Sequence, residues 1–473
     1  MSASIPPATT IDSPQAGVLP ASRLERLIGK SSRDWDVDDL VAVFVGEGLR
    51  LVHLMHVGGD GWLKTLDFVP RDHVHLRDVL TSGERADGSS LFGMLGVSVT
   101  ASDVVVRPRP SSAFLDPFAS APALALLCDH VGRDGKPLPE SPDTIVARAQ
   151  ARLLAETGIE LHALGEVEYF LGKRPDESDI YGATERGYHA SSPFVFGEAL
   201  RRQALLHLAE MGVPVKYGHS EVGYIQPDEG DNRIWEQHEV ELALQPLPQA
   251  ADAVVLTQWV LRNLAHRAGL RCSFDPVLRQ GHAGSGMHFH LSPVAGGTPL
   301  AVGAGNDGLG DEASWVVSGL ATLAGALMAF GNRTPNSFVR LSQAREAPNR
   351  VTWGRYNRKA LIRLPIVARG ADNRAVSAET VEFRLPDGSA HPHLLLAGIA
   401  QATVLGRSMP TDARARLIER TSAAGAAADA LGVPRSFADV TEALTGARAA
   451  LETGDVFLPH VMDRVIDGLS RQA

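Results

Sequence analysis

The chain has 473 residues, 44% hydrophobic and 21% charged, an ordinary globular composition long enough for two domains, one of them large. Its 45 basic and 55 acidic residues give a formal charge of −10, with no basic run that could track a phosphate backbone, so no nucleic-acid partner is expected. Cys128 and Cys272 are the only cysteines and lie far apart, which argues against a disulfide framework or a thiolate metal site and fits a reducing, cytoplasmic setting.

Residues 1–22 lack the basic start and apolar stretch of an export signal, and their Pro, Ser and Thr content predicts a disordered tail. From Leu24 to Arg109 short β-like runs, VAVFV at 41–45 and VSVTASDVVVRP at 97–108, alternate with turn residues and predict a small sheet domain over 23–116. A Pro-rich connection, RPRPSSAFLDPF, closes it, and 117–473 reads as one large α+β domain. A helix is expected to end at Gly158, followed by the strand LHALGEVEYFL, and further helices are expected at 197–212 and 251–269. The apolar segment 314–331 is short for a bilayer and carries Gly and Ser, so it predicts a buried helix and no membrane span. Beyond Met409 the chain reads as helical, without visible chemistry.

The chemistry sits on strands. In GSGMHFHLS (284–292) an extended backbone turns His288, His290 and Ser292 to one face and Met287, Phe289 and Leu291 to the other. GEVEYFL does the same with Glu166 and Glu168, QHEVELAL with Glu239 and Glu241, and VEFRLPD with Glu382 and Arg384. One such strand is ordinarily just solvent-facing; four, with Glu221 in HSEVG, favour a shared cavity. Carboxylates packed together repel unless cations compensate, and oxygen donors with an occasional imidazole suit Mg²⁺ or Mn²⁺, ions that bridge phosphates. Arg340, Arg358, Arg363 and Arg384, in apolar contexts that read as strands, are the arginines expected to meet an acidic substrate or a transferring phosphoryl group.

Taken in order, DGSS (87–90), GEVEYFL, HSEVG, QHE, GSGMHFHLS, NSFVRL, EAP, NRKALIRLP and VEFRLPD resemble the motifs of the glutamine synthetase family over roughly residues 24–465. The resemblance implies an N-terminal β-grasp domain, a catalytic domain with a curved antiparallel sheet, and a ring-stacked dodecamer with sites between subunits. It implies that Glu168, Glu221 and Glu239 hold one metal and Glu166, His288 and Glu382 another, with two or three Mg²⁺ or Mn²⁺ ions per site. His290 and Ser292 would lie on the ATP side. Gly284, His288, Arg340 and Arg384 would contact glutamate, and Arg358 and Arg363 the transferring phosphate. Glu346 would close over the acyl phosphate, and Asp87 would deprotonate ammonium in a neighbouring subunit's site.

Departures from the pattern accompany this. Ala283 stands where the family usually has Asn, and Thr380 where a basic residue is common. His391-Pro392-His393 replaces Asn-Pro-Tyr, and no tyrosine follows Tyr356, so adenylylation of a C-terminal tyrosine is excluded. The stretch YIQPDEGDNRIWE (224–236) is longer than usual and reads as a loop at the mouth of the metal cavity. Three readings follow: glutamine synthetase; a sister ligase joining glutamate to a polyamine, ethanolamine or an aromatic amine; and a non-catalytic ring protein, disfavoured because all six metal positions are intact.

Overall fold

The computed structural model describes residues 22–176, 182–304, 308–343, 347–372, 375–423 and 431–473. Leu51–Val57 anchors a first sheet, antiparallel to Leu63–Phe68 and parallel to Ala123–Val131, which leads on through Asp103–Pro108 to Glu84–Asp87. The helices Val37–Gly46 and His73–Ser82 cover it, setting Leu40, Val43, Leu76 and Leu80 against Val52, Leu54, Val106 and Leu124. Two local expectations change here. VAVFV is helical, because Asp36 and Asp39 form a reciprocal capping box (3.0 and 3.1 Å) that starts a helix just ahead of it; five apolar residues alone suit either state. Within 97–108 only Asp103–Pro108 is a strand. The sheet also reaches beyond the Pro-rich connection, since Ala123–Val131 is one of its central strands.

The second sheet runs Trp353–Arg355, Ile362–Leu364, Val381–Phe383, Met287–Ala295, Glu160–Lys173, Ile234–Leu242, Val215–Ile225, antiparallel except for the first pair. Its apolar face, with Val167, Tyr169, Met287, Phe289 and Val240, packs on helices that include Pro142–Thr157 and Leu247–Arg267. The first of these ends where expected, with Gly158 in the left-handed region (φ 76°). Helix Asp311–Gly331 is long and apolar enough to cross a membrane, but most of it is buried against Pro392–Ser408 and other core elements. Added Cβ atoms at Gly319 and Gly406 would collide with the carbonyls of Ala402 and Trp315, so these two helices meet backbone to backbone.

The stretch 224–236 is mostly hairpin. Tyr224 pairs with Glu236 and Ile225 with Trp235, so it prolongs two strands, and none of its residues lines the cleft that the acidic strands face. Its turn is tied away from that cleft by Asp228 to Arg279 (3.1 Å) and by Arg279 Nη1 donating to the Gln226 carbonyl (2.6 Å).

Candidate active site

Register brings the polar faces together. His288 lies directly opposite Glu166, Glu166 opposite Glu241, Glu168 opposite Glu239, Glu239 opposite His219, and Glu382 opposite both His290 and Arg363. Directly opposed residues share a face, so one side of five strands becomes a ladder of carboxylates and imidazoles. The ladder floors a cleft of about 880 Å³.

Each group is positioned by named partners. The Glu166 carboxylate bridges His288 Nδ1 (2.8 Å) and His290 Nε2 (2.9 Å), and His290 Nδ1 meets Thr380 Oγ1 at 2.8 Å. Burial alone would raise Glu166; the charge of His290 and the bonds from both imidazoles outweigh it and hold the carboxyl well below its usual range. Glu168 accepts from Gln237 Nε2 (2.9 Å) and from the Gly286 amide (2.7 Å), while the Gly284 carbonyl accepts from Gln237 (3.0 Å). The Gly-Ser-Gly loop is needed for this approach, because a Cβ on Gly284 would lie 2.5 Å from the Pro276 carbonyl. His219 stands 3.2 Å from Glu239, and Lys216 donates to Glu241 at 2.6 Å. Burial, and then the charges of Glu166, Glu168, Glu221 and Glu241, push Glu239 well above the ordinary carboxylate range.

The arginines reach the cleft by three routes. Arg340 comes from a helix, Pro335–Ser342, and not from a strand: Thr334 and Pro335 form a helix start that the apolar FVRL had masked. Buried, it donates to the carbonyls of Leu385 (3.0 Å) and Arg384 (3.3 Å), with Nη2 3.4 Å from His288 Nε2. Arg358 occupies a turn, its guanidinium 5.9 Å from the centre of the Tyr188 ring. Arg363 lies on a strand and Arg384 immediately follows one; they hold the two oxygens of Glu382 at 2.8 and 2.5 Å.

Of the expected site residues, Glu166, Glu168, Glu221, Glu239, Gly284, His288, His290, Arg340, Arg358, Arg363 and Arg384 line the cleft, and Glu382 is buried behind it. Ser292 is fully buried and lies outside the lining, as does Asp87, which is exposed on the small sheet. Glu346 lies outside the described residues. Residues without an assigned role in the sequence reading also face the cleft: Glu185, Tyr188, Lys216, Tyr217, His219 and Glu241. His219 was within reach, since it shares an alternating face with Glu221 in HSEVG; Glu241 had been placed on the Glu239 face without a role.

Three sets have donor atoms within 4.8 Å of one another: Glu166, His290 and Glu382; His219, Glu221 and Glu239; Glu166, Glu239 and Glu241. Hard oxygens with at most one imidazole in each set, no thiolate, and mutual carboxylate repulsion that a cation relieves make donor sets that fit divalent Mg²⁺ or Mn²⁺.

Residues 140–468 match the family described as glutamine synthetase, catalytic domain, which defines the class as an ATP-dependent carboxylate–amine ligase. The chain belongs to the glutamine synthetase family. It is 30% identical over 426 residues to glutamine synthetase of Azospirillum brasilense, covering 82% of this chain and 86% of that one. It is 31% identical over 375 residues to 3-hydroxylaminophenol mutase of Cupriavidus pinatubonensis, covering 72% and 74%. The fold is shared with Plasmodium falciparum glutamine synthetase (TM-score 0.76, 18% identity) and with apo GmaS (TM-score 0.72, 21% identity), each covering 92% of this chain and 95% of the other.

Proposed function

We propose that the chain joins ammonia to the γ-carboxylate of glutamate by way of γ-glutamyl phosphate, as a glutamine synthetase. The observation that carries this reading is the ladder, which sets the carboxylates and imidazoles of five strands facing four guanidiniums in one cleft. Glu168, Glu221 and Glu239 would hold one divalent cation and Glu166, His288 and Glu382 another, with His219 and His290 offering donors within reach of the same carboxylates. Bound there, the cations neutralise charge on phosphoryl oxygens.

The chain's own residues do the rest. Arg340, held rigidly by two backbone carbonyls, presents its remaining donors to a substrate carboxylate. A γ-carboxylate oxygen attacks the terminal phosphorus of ATP and ADP leaves; Arg358 and Arg363 stabilise the charge that develops. Ammonia then attacks the acyl carbon and phosphate leaves, with Glu346 excluding the water that would hydrolyse the intermediate. Asp87 accepts from the hydroxyls of Ser90 (2.6 Å) and Ser89 (2.7 Å), which keep it ionised well below the usual range. That makes it an electrostatic trap for ammonium, and burial against a neighbouring copy would raise its basicity enough to take the proton. Because it does not line its own chain's cleft, this role requires a homo-oligomer, for which we propose a dodecamer.

A second reading, a larger amine, is favoured by Ala283. It contributes no side-chain amide to the cleft; its backbone amide instead donates to Glu185 (2.9 Å). The test is phosphate release from Mg-ATP and glutamate with ammonium, methylamine, ethanolamine, putrescine or spermidine. Fastest turnover with ammonium, lost in Asp87→Ala while acyl phosphate still forms, supports glutamine synthetase; a bulky amine that outpaces ammonium and ignores Asp87→Ala supports the second reading.

A further inference from the structure

A second cavity, of about 860 Å³, lies apart from the catalytic cleft. Its walls are the turn Gly59–Trp62 of the small sheet, residues Gly93–Leu95, the helix Leu247–Arg267, the segment Arg333–Thr334, the turn Gly388–Ala390 and the C-terminal helix Pro459–Ser470.

Its charge is unusual for a chain of net −10. Arg262, Arg333, Arg464 and Arg471 line it, against the single acid Asp60, which is already paired with Lys64 at 2.7 Å. Among the described residues none of the four arginines forms an ion pair. The Arg262 guanidinium lies over the rings of both Trp62 (4.7 Å) and Phe274 (4.6 Å), contacts that hold it in place without neutralising it. Arg333 donates one Nη1 bond, to the Asp60 carbonyl at 2.9 Å. Gln258, also in the wall and 8% exposed, has a buried Nε2 with no hydrogen-bond partner. A cavity wall that holds a buried, unpartnered amide donor and two partly desolvated guanidiniums without a counter-ion is what an anion would complete.

We propose that this cavity is a binding site for a small molecule carrying two or more carboxylate or phosphate groups, seated between Arg262, Arg333 and Gln258, with Arg464 and Arg471 at its rim. It is also placed to influence the catalytic cleft. Arg333 immediately precedes Thr334, the cap of the helix that carries Arg340. Ser389, whose Oγ accepts from the Arg333 amide (2.8 Å) and donates to Asp387 (2.5 Å), lies five residues beyond Arg384 along the chain. A ligand bridging the cavity would therefore restrain the two segments that position Arg340 and Arg384.

The experiment is isothermal titration calorimetry on the full chain in magnesium-free buffer, with citrate and inorganic phosphate as probes and chloride at matched ionic strength as the reference. We expect citrate or phosphate to bind with a heat that chloride does not give. Glu239→Gln in the catalytic cleft should leave affinity unchanged, while Arg262→Gln and Arg333→Gln weaken it by at least about tenfold, the value of one charge-assisted hydrogen bond. Arg464→Glu, a rim substitution that removes no packing, should weaken it in the same direction and guards against loss of fold in the buried variants. Deuterium exchange of Pro335–Ser342 should slow when citrate is bound. No binding beyond chloride, or binding lost in Glu239→Gln and kept in Arg262→Gln and Arg464→Glu, overturns the proposal.

Discussion

Glu239 shows how a single side chain can work against the fold that holds it. Its carboxyl is buried among four other carboxylates, so it resists ionisation until something positive arrives. Replacing it with an amide of the same shape should therefore stabilise the cation-free protein, by about 1 kcal/mol, while abolishing ligation. Melting temperature in chelator and phosphate release with Mg-ATP measure the two effects; unchanged turnover at saturating Mg²⁺, in this variant or in Glu168→Ala, would sink the site assignment. A second residue-scale effect lies in the small sheet. Burial, then the neighbouring charges of His130 and Lys64, lower His56 from 6.5 to about 3, with His130 Nε2 3.0 Å from its Nδ1. The unfolded chain thus binds a proton that the folded one refuses, so this contribution is complete above about pH 6.5 and shrinks by about 1.4 kcal/mol per unit as pH falls below it. Urea unfolding at roughly pH 7.5 and 5.5 should show that loss in the wild type and a smaller one in His56→Leu. What the sequence could not reveal at this scale was pairing in three dimensions. That Thr380 fixes His290, or that Lys216 neutralises part of Glu241, depends on strands far apart in the chain.

At the scale of elements, the period-two faces were legible because Glu160–Lys173, Ile234–Leu242 and Met287–Ala295 alternate between core and cleft through their motifs, whereas Val215–Ile225 carries register shifts on either side of His219. Two of the failures share one cause: a run of apolar residues carries no period of its own, so VAVFV and FVRL were assigned to strands although Asp36 and Thr334-Pro335 had already capped helices. Helix packing was not legible at all, since Gly319 and Gly406 read as ordinary glycines until the crossing of Asp311–Gly331 with Pro392–Ser408 is known. Gly319→Ala or Gly406→Ala should cost about 1–3 kcal/mol by forcing these helices apart. Lowered urea midpoints for both, with Gly446→Ala as an unhindered helical control, would establish the contact.

For the whole molecule, Asp87 is the decisive residue, because one copy of the chain exposes it away from its own cleft. Purified protein should scatter light as a multimer. Mixing inactive Asp87→Ala and Glu239→Ala chains under conditions of subunit exchange should restore part of the activity, and an active monomer would contradict shared sites. The ladder has one more consequence. Because the carboxylates of Glu160–Lys173 and Ile234–Leu242 face the cleft by their odd or even place along the strand, the site is written as parity: deleting one residue between Glu166 and Glu168 inverts the remainder of that strand although the other residues stay intact. Tolerance to changes in length must then lie where strands have already left the ladder, and the turn between Ile225 and Ile234 is such a place. It is where a fluorescent label or a second protein could be spliced in with the catalytic face undisturbed.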